Sequence, residues 1–407
     1  MLELQDAIKI NFSLPRLALK SKICAIYKAQ GRLLARDYFI TRPLPLFDNS
    51  AMDGYALKST EQGETLFCRR RIFAGDDASD RILEPKEAIA VMTGAMIPQG
   101  ADVVVPIEQA VLEGEKLTVP RPLAKNSNIR KKGEEKQAGA LIAKRGERLD
   151  FGKIGLLASQ GYAELEVREC CRIGVFSSGN EILEVGENAR GHQIYNINAP
   201  SICALLENYD LQAQYLGILP DDFLRLESRL LSAVEGHDIL ITSGGASVGD
   251  ADFFEKILQK NHAEIFYHKL NIKPGKPLMV ARLKNCYIFC LPGNPLSGIL
   301  NLLALLVPTI FYLSGARTYY PKPIIATLKE DLYLKGKRAH MILGDLREGV
   351  FTPYQQGKYS PNAISTFGAC NSLVLIDHTT EYLQAGQKVG VLQYIMEFDE
   401  ENQGFVN

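Results

Sequence analysis

The hydrophobic patterning of the chain changes character near residue 170. Residues 1–40 read as helical, interrupted at Leu14-Pro15. Residues 41–50 (TRPLPLFDNS) hold two prolines and two Asx residues, which exclude regular structure. Over 66–119, short β-type runs (Leu66-Phe67-Cys68, Ala88-Ile89-Ala90-Val91 and 101–105) are cut by Gly, Pro and acidic turns, predicting a small β-rich module. A basic, glycine-containing segment spans 128–135, and 136–168 return to mixed helix and strand that rejoin the N-terminal helices.

Beyond Cys170, strands and helices alternate. Apolar runs at 171–176, 211–219, 237–242 and 287–291 predict strands. Helices are predicted from Asn198 to Tyr209, from Asp221 to Val234, and over 251–259. The second of these carries Phe223, Leu226, Leu230, Leu231 and Val234 on one apolar stripe. Two further strands fall between 259 and 287. This alternation predicts a parallel α/β sheet with both faces covered. After Gly315 the helical period is lost, and the last ninety or so residues read as a small β domain.

Length and composition narrow the class. At ~100–200 residues per domain, 407 residues imply roughly two to four domains. The balance of 46 Lys plus Arg against 47 Asp plus Glu argues against a basic nucleic-acid binder and against a polybasic membrane-surface protein. The acidic start, MLELQD, has no secretory leader pattern. The apolar stretch 299–313 is too short to span a bilayer and predicts a buried helix. Eight scattered cysteines form no CxxC and no zinc-ligand spacing, which fits reduced, mostly buried thiols in a cytoplasmic protein.

The chemistry concentrates at loops. In an open parallel sheet, ligands bind beyond the carboxyl ends of the strands. Three such ends carry unusual loops: 177–181 (SSGNE), 243–252 (SGGASVGDAD) and 292–295 (PGNP). Ser243-Gly244-Gly245 lets backbone N–H groups approach an anion, yet it is neither GxGxxG nor a Walker A sequence. Asn294 suits a helix N-cap and Pro295 the first helical turn. Lys273 and Lys276, three apart across a Pro-Gly turn, favour phosphate. Glu181, Asp221, Asp250 and Asp252 supply carboxylates, which beside phosphate suit Mg²⁺. In the first half, DNSAMDGY (48–55), MTGAMIP (92–98) and NIRKKG (128–133) gather further polar groups, enough to complete a cleft. The six histidines are dispersed, and none is assigned a role.

These motifs, FDNSAMDGYA (47–56), MTGAMIP (92–98), NIRKKGE (128–134), FSSGNEI (176–182), TSGGASVGDAD (242–252), IKPGKP (272–277) and LPGNP (291–295), resemble the molybdopterin molybdenumtransferases, the family of bacterial MoeA and the gephyrin C-terminal domain. The resemblance runs over nearly the whole chain. It implies a multidomain α/β protein: a three-layer parallel-sheet molybdopterin-binding domain (169–317), a β-rich lid domain (41–135), a mixed elongated N-terminal domain (1–40 with 136–168) and a small C-terminal β-barrel domain (318–407). It further implies a homodimer, contact with a molybdopterin adenylyltransferase, and no nucleic-acid or membrane partner.

The activity implied is transfer of molybdenum from molybdate into adenylylated molybdopterin, with Mg²⁺-assisted release of AMP. On this reading Asp53, Thr93, Glu181, Asp221 and Asp252 are catalytic, and Glu181, Asp221 and Asp252 hold Mg²⁺. Arg130, Ser177, Ser243, Gly244, Gly245, Lys273, Lys276, Pro292, Gly293, Asn294 and Ser365 bind substrate. The chain departs from the family where Asp is usual at Asn180, Asn196 and Glu135, and where an arginine falls at Leu343. Those departures leave a non-catalytic molybdopterin-binding scaffold or carrier as the alternative. A molybdopterin adenylyltransferase alone would need only the α/β unit.

Overall fold

The computed structural model describes residues 1–244 and 251–395, with the side chains of residues 251 and 252 outside the description. Gly245 and Asp250 lie outside the described residues. The chain divides into two compact units, one of 36–144 with 151–163 and one holding the rest of the chain.

The first unit is the β-rich one. Its sheet runs in the order Val103–Pro106, Gly54–Leu57, Glu87–Val91, Leu66–Ile72, Lys116–Thr118, Val111–Glu113. Alternation along the strands sends Tyr55, Leu57, Val103 and Val105 into one core, and Ala56, Ile89, Val91 and Val104 into another.

In the second unit, the six-stranded sheet orders Ala213–Leu219, Ile173–Ser178, Ile239–Ser243, Cys286–Leu291, Met279–Leu283 and Glu264–His268. The first four are parallel. The last two are antiparallel, because Lys284-Asn285 turns Met279–Leu283 straight back into Cys286–Leu291. The sheet is therefore parallel from its Ala213–Leu219 edge through Cys286–Leu291 and antiparallel beyond. Ile239 and Ile241 pack on one side with Ile202 and Leu296, while Leu240 packs on the other with Leu226 and Phe254, giving three layers. The helix predicted from Asp221 runs Phe223–Gly236, with the Asp222 carboxylate capping Arg225 N–H. The span Pro295–Leu313 is long and apolar enough to cross a membrane, but 89% of it is buried inside the protein, as expected of a core helix.

The helical reading of residues 1–40 holds only for Leu4–Asn11. Ser21–Ala25 is instead a strand, paired antiparallel with Glu164–Arg168. Four of its five residues are exposed, with no apolar helical stripe, and the partner lies some 140 residues away.

The C-terminal strands close on themselves. Ala339–Arg347 pairs with both Val350–Pro353 and Ser372–Ile376, Lys388–Gln393 pairs with Ser372–Ile376 and Ile324–Leu328, and Ile324–Leu328 pairs with Val350–Pro353. The ring is a five-stranded barrel filled by Leu328, Ile342, Phe351, Val374 and Val391. Ile272–Lys273 adds to it in parallel, setting Lys273 opposite His340.

Candidate functional site

In the β-rich unit, the three motifs meet. Ser50 N–H donates to Ala95 O at 2.9 Å and Gly94 N–H to Ser50 O at 2.8 Å, which ties 47–56 to 92–98. Ile129–Arg130 pairs with Asn49–Ser50, and Asp48 takes bonds from Lys131 Nζ (2.9 Å) and Lys132 N–H (2.8 Å). On this frame Thr93 donates to Asp53 Oδ1 twice, from its backbone N–H (2.6 Å) and its hydroxyl (2.8 Å). Those two bonds hold the exposed Asp53 carboxyl below its usual range. Arg130 is exposed on the neighbouring segment.

In the other unit, the IKPGKP loop lines a cleft of about 240 Å³ together with the PGNP loop and the barrel. Lys273, Lys276, Pro292 and Asn294 face it, as do Arg338, His340 and Tyr359. Among the described residues, none that lines it is acidic. The loop is held by Asn301, fully buried, whose amide donates to Gly275 O at 3.0 Å. Gly275 has φ +103°, and a Cβ there would lie 2.8 Å from the Asn301 amide. Asn294 does occupy the N-cap position with Pro295 following, but its side chain makes no capping bond and faces the cleft.

The strand-end residues sort differently. Ser177 is buried, and its hydroxyl donates to Asn196 Oδ1 at 2.7 Å, so it supports the loop rather than offering a free hydroxyl. Asn196 also donates to the Tyr215 hydroxyl at 2.7 Å, and Tyr215 donates to Glu184 at 2.7 Å. Ser243 is 1% exposed, and its Oγ has no partner among the described residues. Gly244 has φ +97°, and a Cβ there would sit 2.7 Å from Ser178 O. The Gly293 carbonyl accepts from Asn198 at 2.8 Å.

Asn180 and Asp221 clasp each other. Asn180 N–H donates to the Asp221 carboxylate at 3.0 Å, and Asp221 N–H to Asn180 Oδ1 at 3.2 Å. The Glu181 carboxylate folds over Gly179, where a Cβ would meet it at 2.7 Å. Two carboxylates thus flank the tripeptide 179–181, a set of hard oxygen donors that fits Mg²⁺. Asp252 sits at the start of the helix Ala251–Lys260, with its side chain outside the described residues. Among the described residues, no group of three His, Cys, Asp or Glu side chains gathers.

Ser365 opens the short helix Ser365–Gly368, is exposed, and is not among the residues lining the cleft. Leu343 is fully buried in the core that the barrel shares with Pro295–Leu313. Sequence reasoning missed Arg338 and His340. Their signal was spacing: two apart beside a strand, they share one side of it.

The fold is that of a multidomain α/β protein with a closed five-stranded barrel, and its cleft is lined by Lys273, Lys276 and Arg338. Residues 2–161 match the family model for the MoeA N-terminal region (domains I and II), and 174–311 match the probable molybdopterin binding domain. The molybdopterin molybdenumtransferase of Haemophilus influenzae is 33% identical, over 90% of this chain and 92% of that protein. The one from Staphylococcus aureus is 32% identical over 90% of each. A molybdopterin biosynthesis MoeA structure from Pyrococcus horikosii superposes with a TM-score of 0.77 at 27% identity, covering 98% of this chain and all of that one. The chain belongs to the MoeA family of molybdenum cofactor biosynthesis and is a transferase.

Proposed function

We propose that this transferase inserts molybdenum from molybdate into adenylylated molybdopterin and releases AMP, acting as a homodimer in the cytoplasm. The observation that carries the reading is the cleft in which Lys273, Lys276 and Arg338 face one cavity, with no acidic lining residue among those described. Fixed cations there stabilise the charge that builds on phosphate oxygens as the phosphoanhydride breaks. The buried Ser243 hydroxyl and the Gly244 and Gly293 backbone would hold the substrate at the strand ends, and Arg130 would draw in molybdate.

Asp53, kept ionised by Thr93, is suited to accept a proton or orient an attacking oxygen at the reacting centre. Glu181 and Asp221, with Asp252, are the residues that would hold Mg²⁺, which when bound neutralises pyrophosphate charge. Catalysis on this reading is positioning and electrostatics. The test is a single-turnover assay of purified protein with adenylylated molybdopterin, molybdate and Mg²⁺. AMP and cofactor should appear together, and a folded protein that yields neither rejects the proposal.

A further inference from the structure

Two buried asparagines repeat one arrangement beside the cleft. Asn301 is 0% exposed, its Nδ2 donates to Gly275 O at 3.0 Å, and its Oδ1 has no partner among the described residues. Asn198 is 8% exposed, its Nδ2 donates to Gly293 O at 2.8 Å, and its Oδ1 is likewise without a partner among them. Each amide thus directs its donor to the carbonyl of a glycine in a strand-end loop and leaves its acceptor unused. A buried oxygen without a donor costs stability, and an apolar side chain would carry no such cost. Asn301 stands between Leu300 and Leu302, both fully buried, in a helical span that is otherwise almost wholly apolar. Packing alone therefore favours leucine or alanine there, and the contact with the loop is what the amide adds.

The ends of the lysine loop have backbone anchors. Lys273 pairs opposite His340, and the Lys276 carbonyl accepts from Leu270 N–H at 2.8 Å. The turn between them is tied by Asn301 at the Gly275 carbonyl. In the other loop, Pro292 and Asn294 line the cleft and flank Gly293, which Asn198 ties. Asn294, Ser297 and Asn301 stand three and seven apart, so they share one face of the helix that this loop opens. The first two line the cleft, and Asn301 is not among its lining residues.

We infer that Asn198 and Asn301 are positioning residues for the transferase reaction: by fixing the Gly293 and Gly275 carbonyls, they set how Asn294 and Lys276 meet a tetrahedral oxyanion, either free molybdate or the phosphate of a nucleotide. Neither asparagine touches that ligand. Loops held in place before the anion arrives lose little freedom on binding it, and a fixed ammonium needs no reorientation as charge develops. The inference rests on the cleft being the anion site proposed above.

The test is a double-mutant cycle on the full chain. Sodium molybdate and AMP are titrated calorimetrically at low ionic strength, and the cycle of Asn301→Ala with Lys276→Met is run on the probe that binds more tightly. Asn301→Ala should weaken binding roughly tenfold, the scale on which a misplaced group loses its contact. With Lys276→Met already present, the same change should weaken it by less than about twofold, because no ammonium remains at that position to be placed. A substitution that only loosened the fold would act equally in both backgrounds. Unchanged affinity in Asn301→Ala, or the same tenfold loss beside Lys276→Met, overturns the inference and leaves the cleft standing as an anion site. Wild type that binds neither probe overturns the cleft reading and this inference with it. If Asn301→Ala does not fold, Asn198→Ala in a cycle with Asn294→Ala decides by the same comparison.

Discussion

Thr93 binds Asp53 through both its backbone N–H and its hydroxyl, and both bonds land on Oδ1. The two residues are forty apart in sequence, and the pair exists because the segments holding Asn49–Ser50, Gly94–Ala95 and Ile129–Arg130 interlock. The paired carboxylate is thus fixed in direction and in charge.

The pH consequence follows from the lowered Asp53 value. A depressed folded-state pKa adds stability above the unfolded value of the carboxyl, and that contribution is lost as pH falls through the folded value. Carbon-detected NMR should show Asp53 titrating below ordinary aspartates. Thr93→Val removes the hydroxyl bond and keeps the N–H, so the midpoint should move up part of the way. Asp53→Asn should abolish turnover without altering the circular dichroism spectrum.

Much of this was legible in the sequence because it is local. The stripe from Phe223 to Val234, the Pro295 helix start and the glycine-bearing strand ends each declare themselves within a dozen residues. What was not legible is set by distant pairing. Ser21–Ala25 becomes a strand through Glu164–Arg168, and the antiparallel edge follows from the turn at Lys284-Asn285. His340 reaches the cleft only because Ile272–Lys273 adds to the barrel strand beside it. Leu343, where an arginine was looked for, is core because its strand packs against the apolar helix.

Gly275→Ala should move the lysine loop. The added methyl meets a fully buried amide at 2.8 Å, and φ of +103° is strained for alanine. Denaturant unfolding should show a loss of about 1–3 kcal/mol, and anion affinity should fall with it.

Asn180 and Asn196, where the family resemblance implies aspartate, should respond oppositely to that change. Asn180→Asp keeps the oxygen that accepts Asp221 N–H and adds charge on an exposed loop, so stability should hold and Mg²⁺ affinity should rise. Asn196→Asp loses the donor to Tyr215, whose own proton goes to Glu184, and buries a carboxylate at 2% exposure. Thermal and denaturant unfolding should report a cost on the order of 2–3 kcal/mol.

The cation cleft is the centre of the account, and the direct measurement is AMP release by wild type beside Lys273→Met/Lys276→Met. Both lysine side chains face the cavity rather than the cores, so the double variant should fold with unchanged unfolding behaviour. Wild type should release AMP in step with cofactor formation, and the variant should release it at least a hundredfold more slowly, on the order of 3 kcal/mol of lost charge stabilisation. A folded variant releasing AMP at the wild-type rate would contradict it.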